Sequence, residues 1–107
     1  MVYLVGGYKL TPDQARNWCN RENLQPPESN ISLFVNRWLR EKNITTRLLA
    51  CDYREEPIFL VVTTRRVDPT GKPTHFELFK EDDRARFIKE QIGIDDVEFV
   101  TVPNPYG

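Results

Sequence analysis

Residues 45–66 read TTRLLACDYREEPIFLVVTTRR, two strand-like runs joined by residues 54–57. Successive residues of a strand point to opposite sides of a sheet. Apolar side chains occupy both alternating positions of each run, as Leu48 and Leu49 do in the first and Leu60 and Val61 do in the second. Both faces of this hairpin therefore need cover. The helices of the chain can supply it on one face, so the second face needs another source.

The size and composition of the chain are those of a single globular domain. It has 107 residues, of which 39% are hydrophobic, 29% charged and 11% aromatic. That length is enough to bury a core without disulfides or metal, and the apolar content argues against disorder. The net charge is -1, so we expect no general attraction to the phosphates of nucleic acids.

The cysteines and the N-terminal residues favour a cytoplasmic, reducing environment. Cys19 and Cys51 are the only cysteines, and neither belongs to a C-x-x-C motif or a Cys/His cluster. We expect both to be thiols of the core. No apolar run reaches the ~20 residues of a membrane span, and the first residues lack the basic region of a signal sequence. We expect no membrane association, no cofactor and no metal.

Local patterns predict the remaining elements on both sides of the hairpin. An alternating strand covers 2–8, and Thr11 with Gln14 predicts a capping box at the start of a helix that ends near Leu24. Apolar residues at helical spacing predict a second helix from residue 28 or 29 to Asn43. A third helix is expected from about Lys80 to Ile92.

The predicted elements follow the order β-α-α-β-β-α-β. Gly93 is a C-terminal cap for the third helix, and 97–102 form the last strand. We expect 67–79 to be an exposed loop and 103–107 a tail. If the two N-terminal helices count as one split crossover, the order is that of a ferredoxin-like α+β sandwich. Such a single domain, covering 1–107, has its helices on one face of a four-stranded sheet.

The second face of that sheet is the candidate functional surface. A contiguous apolar face of several hundred Å² is rarely left in water. The residues that we assign to this face, as an interface or a ligand surface, are Tyr3, Val5, Arg47, Leu49, Cys51, Phe59, Val61, Val100 and Val102.

Three kinds of cover would satisfy the hydrophobic demand of the second face equally well. The first is a homodimer formed by packing sheet on sheet, as in dimeric α+β barrels. The second is the chain itself, through the 67–79 loop, the tail or an N-terminal helix. The third is a ligand or another partner. In a ligand-binding or catalytic dimeric barrel the ligand would lie between sheet and helices, and Tyr3, Phe59 and Arg47 would be the first residues to test.

Residues 2–7, VYLVGG, resemble the first-strand hexamer of RNA-recognition motifs, and the order of elements is similar. The resemblance implies that Tyr3 and Phe59 would stack the bases of single-stranded RNA. The chain lacks the third-strand signature of that family, a basic residue and Gly followed by alternating aromatic residues. Valines stand where a second stacking ring is expected, so nucleic-acid binding is the weakest of the alternatives.

Catalytic signals are sparse, and no catalytic residue is assigned. His75 is the only histidine, so any imidazole chemistry would depend on it. We expect it to be a loop residue without a role. Arg65 and Arg66, with Arg47 on the adjacent strand, are a possible anion-binding patch, although charges that protect a strand end are commoner. The sequence therefore favours a non-enzymatic, intracellular interaction protein that self-associates through its sheet face.

Overall fold

The structure, a computed structural model, describes residues 2–24, 30–68 and 78–104, without the side chains of Val2, Asp68 and Asn104. Three helices and a four-stranded antiparallel sheet lie within these ranges, so the predicted α+β class is confirmed. Along the chain the elements are β1 (Val2–Leu10), α1 (Pro12–Arg21), α2 (Ile31–Glu41), β2 (Arg47–Tyr53), β3 (Glu56–Asp68), α3 (Asp83–Ile92) and β4 (Glu98–Asn104).

Side-chain caps begin α1 and α3. Thr11 and Gln14 form the predicted capping box: Thr11 Oγ1 accepts from the Gln14 amide at 3.2 Å, and Gln14 Oε1 accepts from the Thr11 amide at 2.8 Å. Asp82 caps α3 by accepting from the Ala85 amide at 2.8 Å. Helix α3 therefore begins at Asp83, three residues after the predicted start near Lys80. It ends at Gly93, which has a left-handed φ of 76° as predicted.

The sheet has the strand order β2-β3-β1-β4, and every neighbouring pair is antiparallel. The register between β1 and β3 shifts between Gly6 and Gly7, because Thr63 has no partner residue on β1. At this bulge the two backbones approach closely. A Cβ on Gly7 would lie 1.9 Å from the carbonyl oxygen of Val61, so only glycine fits there.

All three helices pack against the same face of the sheet. Their buried residues form one core cluster with Tyr8 and Leu10 of β1, Leu48 of β2 and Val61 of β3. The rings of Trp18 and Trp38 meet edge to face in this cluster, with centroids 5.0 Å apart. The space between the sheet and α1 and α2, lined by Leu10, Ala15, Trp18, Val35, Leu39, Leu48, Val61 and Ile92, is about 10 Å³. That volume is at the lower limit for a single water molecule.

Two segment predictions are wrong where the structure describes them. Strand β3 continues through Val67 to Asp68, so the loop predicted for 67–79 begins later. Its residues 69–77, which include His75, lie outside the described residues. Strand β4 continues through Pro103 to Asn104 by pairing with β1. The predicted tail therefore begins no earlier than residue 105, and 105–107 are also outside the described ranges.

The assignment of Phe59 and Val61 to the second face is also wrong. Residues 54 and 55 form a two-residue turn, so Leu48 lies opposite Val61 and Leu49 opposite Leu60. Residues that lie opposite each other in a sheet point to the same side. Val61 and Phe59 therefore pack against the helices. Leu60, and not Val61, lies on the second face.

We expect Val61→Glu to lower the free energy of unfolding by about 3–5 kcal/mol, since it leaves an uncompensated charge in the helix-side core. Leu33→Glu is the control, because Leu33 on α2 is 52% exposed; it should change stability by no more than about 0.5 kcal/mol. Urea unfolding followed by circular dichroism measures both. Equal losses for the two variants would contradict the placement of Val61.

Candidate functional site

The second face of the sheet is defined here by the residues that the observed register places opposite one another on the side away from the helices. Its centre is a cluster of Val5, Leu60, Val100 and Val102, with Leu49, Cys51, Tyr53 and Val62 packed against it. Of the residues assigned to this face from the sequence, the register places seven on it: Tyr3, Val5, Arg47, Leu49, Cys51, Val100 and Val102. Phe59 and Val61 are not. The apolar and aromatic residues of this face that the prediction does not include are Tyr53, Ile58, Leu60, Val62 and Val67, and it also does not include Lys9.

Burial divides the second face into two parts. At its centre, Val5 and Leu60 have a relative exposure of 0% within the single chain. Toward the edge strand β2, by contrast, the side chains of Leu49, Cys51, Tyr53 and Val62 are only partly buried. We call these four residues the β2 strip. The prediction of a bare apolar face is therefore wrong at the centre, and accessible apolar surface remains at the β2 strip and at Val67, which lies opposite Tyr3 and is 44% exposed.

Cations lie over the aromatic rings at both ends of the second face. At one end the Arg65 guanidinium is 4.9 Å from the ring centroid of Tyr3. At the other end Lys9 Nζ and the Arg54 guanidinium are 5.4 Å and 5.1 Å from the ring centroid of Tyr53. Contacts of this kind hold a charged side chain against an aromatic ring. These charged groups form a polar rim around the β2 strip.

The rim carries both signs of charge. Lys9 Nζ also forms an ion pair with the Glu98 carboxylate of β4, at 3.4 Å. Near the hairpin turn an open groove of about 490 Å³ is lined by Lys9, Thr11, Pro12, Tyr53, Arg54, Glu56, Pro57 and Ile58. Two cations, Lys9 and Arg54, and one carboxylate, Glu56, line this groove, so its charge is mixed.

Both thiols are less acidic than an ordinary cysteine. Burial raises the pKa of Cys51, and the neighbouring Asp52 carboxylate raises it further. Burial alone raises the pKa of Cys19, which lies in the helix-side core. Since the thiolate is the nucleophile, neither environment activates its cysteine. Cys51 therefore contributes to the β2 strip as a small apolar side chain.

The surface that would bind RNA in the manner of an RNA-recognition motif is not assembled by Tyr3 and Phe59. Tyr3 is on the second face, whereas Phe59 packs against the helix-side core. The two rings thus lie on opposite faces of the sheet. The expected ligand space between sheet and helices is also missing around α1 and α2, where the cavity is about 10 Å³.

Tyr8 forms a polar contact beneath α3 that the sequence did not indicate. The residue is fully buried, and its hydroxyl donates to the Glu81 carboxylate at 2.6 Å. Lys89 Nζ lies 5.4 Å from its ring centroid, and Phe99 meets the ring edge to face. Burial raises the pKa of Tyr8 well above its ordinary value, and the hydrogen bond to Glu81 adds to the effect. The neutral phenol thus ties the segment before α3 to the sheet.

Comparison with protein-family models, with curated proteins and with solved structures finds no match to this chain. None of the helices in the described ranges is long and apolar enough to cross a membrane. In the same part of the chain, no group of three or more His, Cys, Asp and Glu side chains is arranged to hold a metal ion.

We expect Tyr8→Phe to lower the free energy of unfolding by about 1–2 kcal/mol at neutral pH, because the bond to a carboxylate is lost. The raised pKa in the folded state also sets the pH dependence. The stabilisation is fully present below the unfolded pKa of about 10 and is lost as pH rises from there toward the folded pKa. Wild-type stability should therefore fall more steeply than that of the variant above about pH 10.

Urea unfolding at a series of pH values from neutral to strongly alkaline measures this difference. Other tyrosines and the lysines titrate in both proteins, so the difference between the two curves isolates Tyr8. Parallel curves across the alkaline range would show that the Tyr8 hydroxyl titrates alike in the folded and unfolded states.

Proposed function

We propose that the protein is a non-enzymatic interaction module that self-associates through the β2 strip of its second face. The observation that carries the proposal is the position of Leu49, Cys51, Tyr53 and Val62. They are only partly buried, yet they are continuous with the buried cluster around Val5 and Leu60. A second copy that covers the strip would bury these four side chains, which the single chain leaves partly exposed beside the buried centre.

The rim of the strip supports a symmetric partner. A two-fold interface brings the same surface of both copies together, so the surface must be complementary to itself. Cations and a carboxylate both border the strip: Lys9 and Arg54 lie over the ring of Tyr53, and Glu56 lies opposite Tyr53 beside the turn. A two-fold arrangement can therefore place unlike charges opposite each other, whereas a rim of one sign would repel its own copy.

A non-enzymatic role is supported by the direction of the resolved pKa shifts at reactive groups. The pKa values of Cys19, Cys51 and Tyr8 are all raised, which keeps each group in its protonated, less nucleophilic form near neutral pH. Tyr8 is moreover fully buried. A catalytic site more often shifts such a group toward the pH at which it works.

The proposal includes a ferredoxin-like arrangement of the domain. It is supported by the strand order β2-β3-β1-β4 with antiparallel neighbours, by helices between β1 and β2 and between β3 and β4, and by the single core that joins these helices to one sheet face. In this arrangement a connection through helices leaves the opposite face of the sheet for other contacts.

We expect sedimentation velocity to show a dimer whose fraction rises with concentration, and we expect Leu49→Glu to shift it to monomer. The introduced carboxylate would have to be buried in the apolar interface, which costs several kcal/mol. Ala50→Glu is the matched control: Ala50 is the next residue of β2, is exposed and points to the helix side of the sheet. A wild-type protein that stays monomeric at high concentration would refute the proposal.

The alkylation rate of Cys51 gives an independent measure of the interface. Cys51 should react slowly with iodoacetamide because its pKa is raised, and more slowly still as protein concentration increases and the strip is covered. Cys19 is buried in the helix-side core, so it should react only after unfolding. Mass spectrometry of the labelled peptides gives both rates. If the Cys51 rate is independent of concentration while a dimer forms, the dimer uses another surface.

A further inference from the structure

Asn36 of α2 binds both backbone groups of one residue on the edge strand β2. Its Nδ2 donates to the carbonyl oxygen of Leu48 at 3.1 Å, and its Oδ1 accepts from the Leu48 amide at 2.6 Å. In an antiparallel sheet, two residues of a hydrogen-bonded pair exchange both N–H···O bonds in this way. The Asn36 side chain thus takes the place that one residue of an additional strand would take beside Leu48.

The contact with Asn36 fixes the direction of the other backbone groups of β2. Since the Leu48 groups point toward Asn36, they point away from β3. The register between β2 and β3 runs without a shift from Arg47 opposite Val62 to Tyr53 opposite Glu56. Hydrogen-bonding directions alternate along a strand, so the backbone groups of Ala50 and Asp52 also point away from β3.

We propose that the outer edge of β2 is a latent self-pairing surface for a second copy of this chain, and that Asn36 keeps it closed. The partner would be the β2 strand of that copy, antiparallel and related by a two-fold axis at Ala50. Leu48 would then lie opposite Asp52 of the second copy, Ala50 opposite Ala50, and Asp52 opposite Leu48. Leu49 would lie opposite Cys51, so the β2 strip would continue from one sheet into the other.

One asparagine is enough to oppose this pairing. Leu48 belongs to both flanking pairs, once on each copy, and Asn36 already occupies its amide and its carbonyl. Only the central pair at Ala50 remains, which is too short a ladder to hold two sheets together. Natural sheets commonly protect their edges against such pairing. The opposite edge strand, β4, has Pro103, which has no amide to donate.

This inference does not depend on the proposed dimer. Face-to-face packing uses side chains of the β2 strip, whereas edge pairing uses the backbone of β2. A carboxylate at position 49 would have to be buried in the former, whereas in the latter it would stand on the solvent-accessible second face, opposite Cys51 of the second copy. The two modes of association can therefore be separated in one set of variants.

The experiment compares Asn36→Ala with the wild type, each alone and combined with Leu49→Glu, by sedimentation velocity over a wide concentration range. Alanine favours helix more than asparagine does, so α2 is retained. We expect Asn36→Ala/Leu49→Glu to dimerise at least tenfold more tightly than Leu49→Glu.

Arg37→Ala, on the exposed next position of α2, should behave like the wild type. Adding Ala50→Pro, which removes an outward amide, should return the double variant to monomer.

Amide hydrogen exchange measured by NMR identifies the surface. In the double variant the Leu48 amide should exchange faster than in Leu49→Glu at low concentration. The amides of Leu48, Ala50 and Asp52 should become slow together as the dimer forms. If circular dichroism shows Asn36→Ala unfolded, Asn36→Ser replaces it, since the serine hydroxyl lies one bond closer to the backbone than Oδ1 and Nδ2 and cannot bind both Leu48 groups.

Three results would overturn the inference. The first is a double variant that remains monomeric although its Leu48 amide has lost protection. The second is a Leu48 amide that exchanges at the same rate with and without Asn36. The third is a dimer that persists with Ala50→Pro. A wild-type protein that is monomeric, by contrast, would refute only the proposed dimer and would leave this comparison intact.

Discussion

The two-residue turn at Arg54 and Glu55 is the constraint on which the rest of the sheet depends. Both residues have left-handed φ values, 53° and 66°, as a tight hairpin turn with the correct twist requires. Side chains other than glycine and asparagine adopt that region at a cost of roughly 1 kcal/mol or more each. The hairpin accepts this cost, and its strands are thereby held in a single register, with Tyr53 opposite Glu56.

That register decides which apolar side chains share a face. It joins Leu48 and Val61 to the helices, and it joins Leu49 and Leu60 to the second face. A slip of one residue would move every side chain of β2 to the wrong side relative to β3. Since β3 is buried on both of its faces, a slip in either direction would lower the stability of the sheet. The geometry of the two-residue turn and the two-sided burial of β3 therefore favour the same pairing.

The sequence predicts the local features of this fold well, because they depend on neighbouring residues. The capping box of Thr11 and Gln14 and the left-handed cap at Gly93 are both present. The assignment of Phe59 and Val61 to the second face was an avoidable error. Any loop with an even number of residues places odd residues of β2 opposite even residues of β3, so Leu49 had to share a face with Leu60.

Other features could not be predicted, because they depend on contacts distant in sequence. Asn36 falls on the polar side of α2 by its spacing, and only the packing of α2 against β2 brings it to the edge. The hydrogen bond between Tyr8 and Glu81 joins residues that are 73 positions apart in the sequence. The division of the second face into a buried centre and an accessible β2 strip likewise depends on tertiary cover, which hydrophobic periodicity does not specify.

Strand edges and strand faces impose different demands, and this chain meets them in different ways. An edge exposes backbone groups that pair with almost any extended chain, so it must be closed for a protein to remain discrete. At the edge strand β2, Asn36 of α2 occupies the amide and the carbonyl of Leu48, and in the edge strand β4, Pro103 has no amide to donate. A face exposes side chains, whose shape and charge can select one partner. The association proposed above would accordingly use the β2 strip, whose side chains can specify a partner, and not the backbone groups of a strand edge, which cannot.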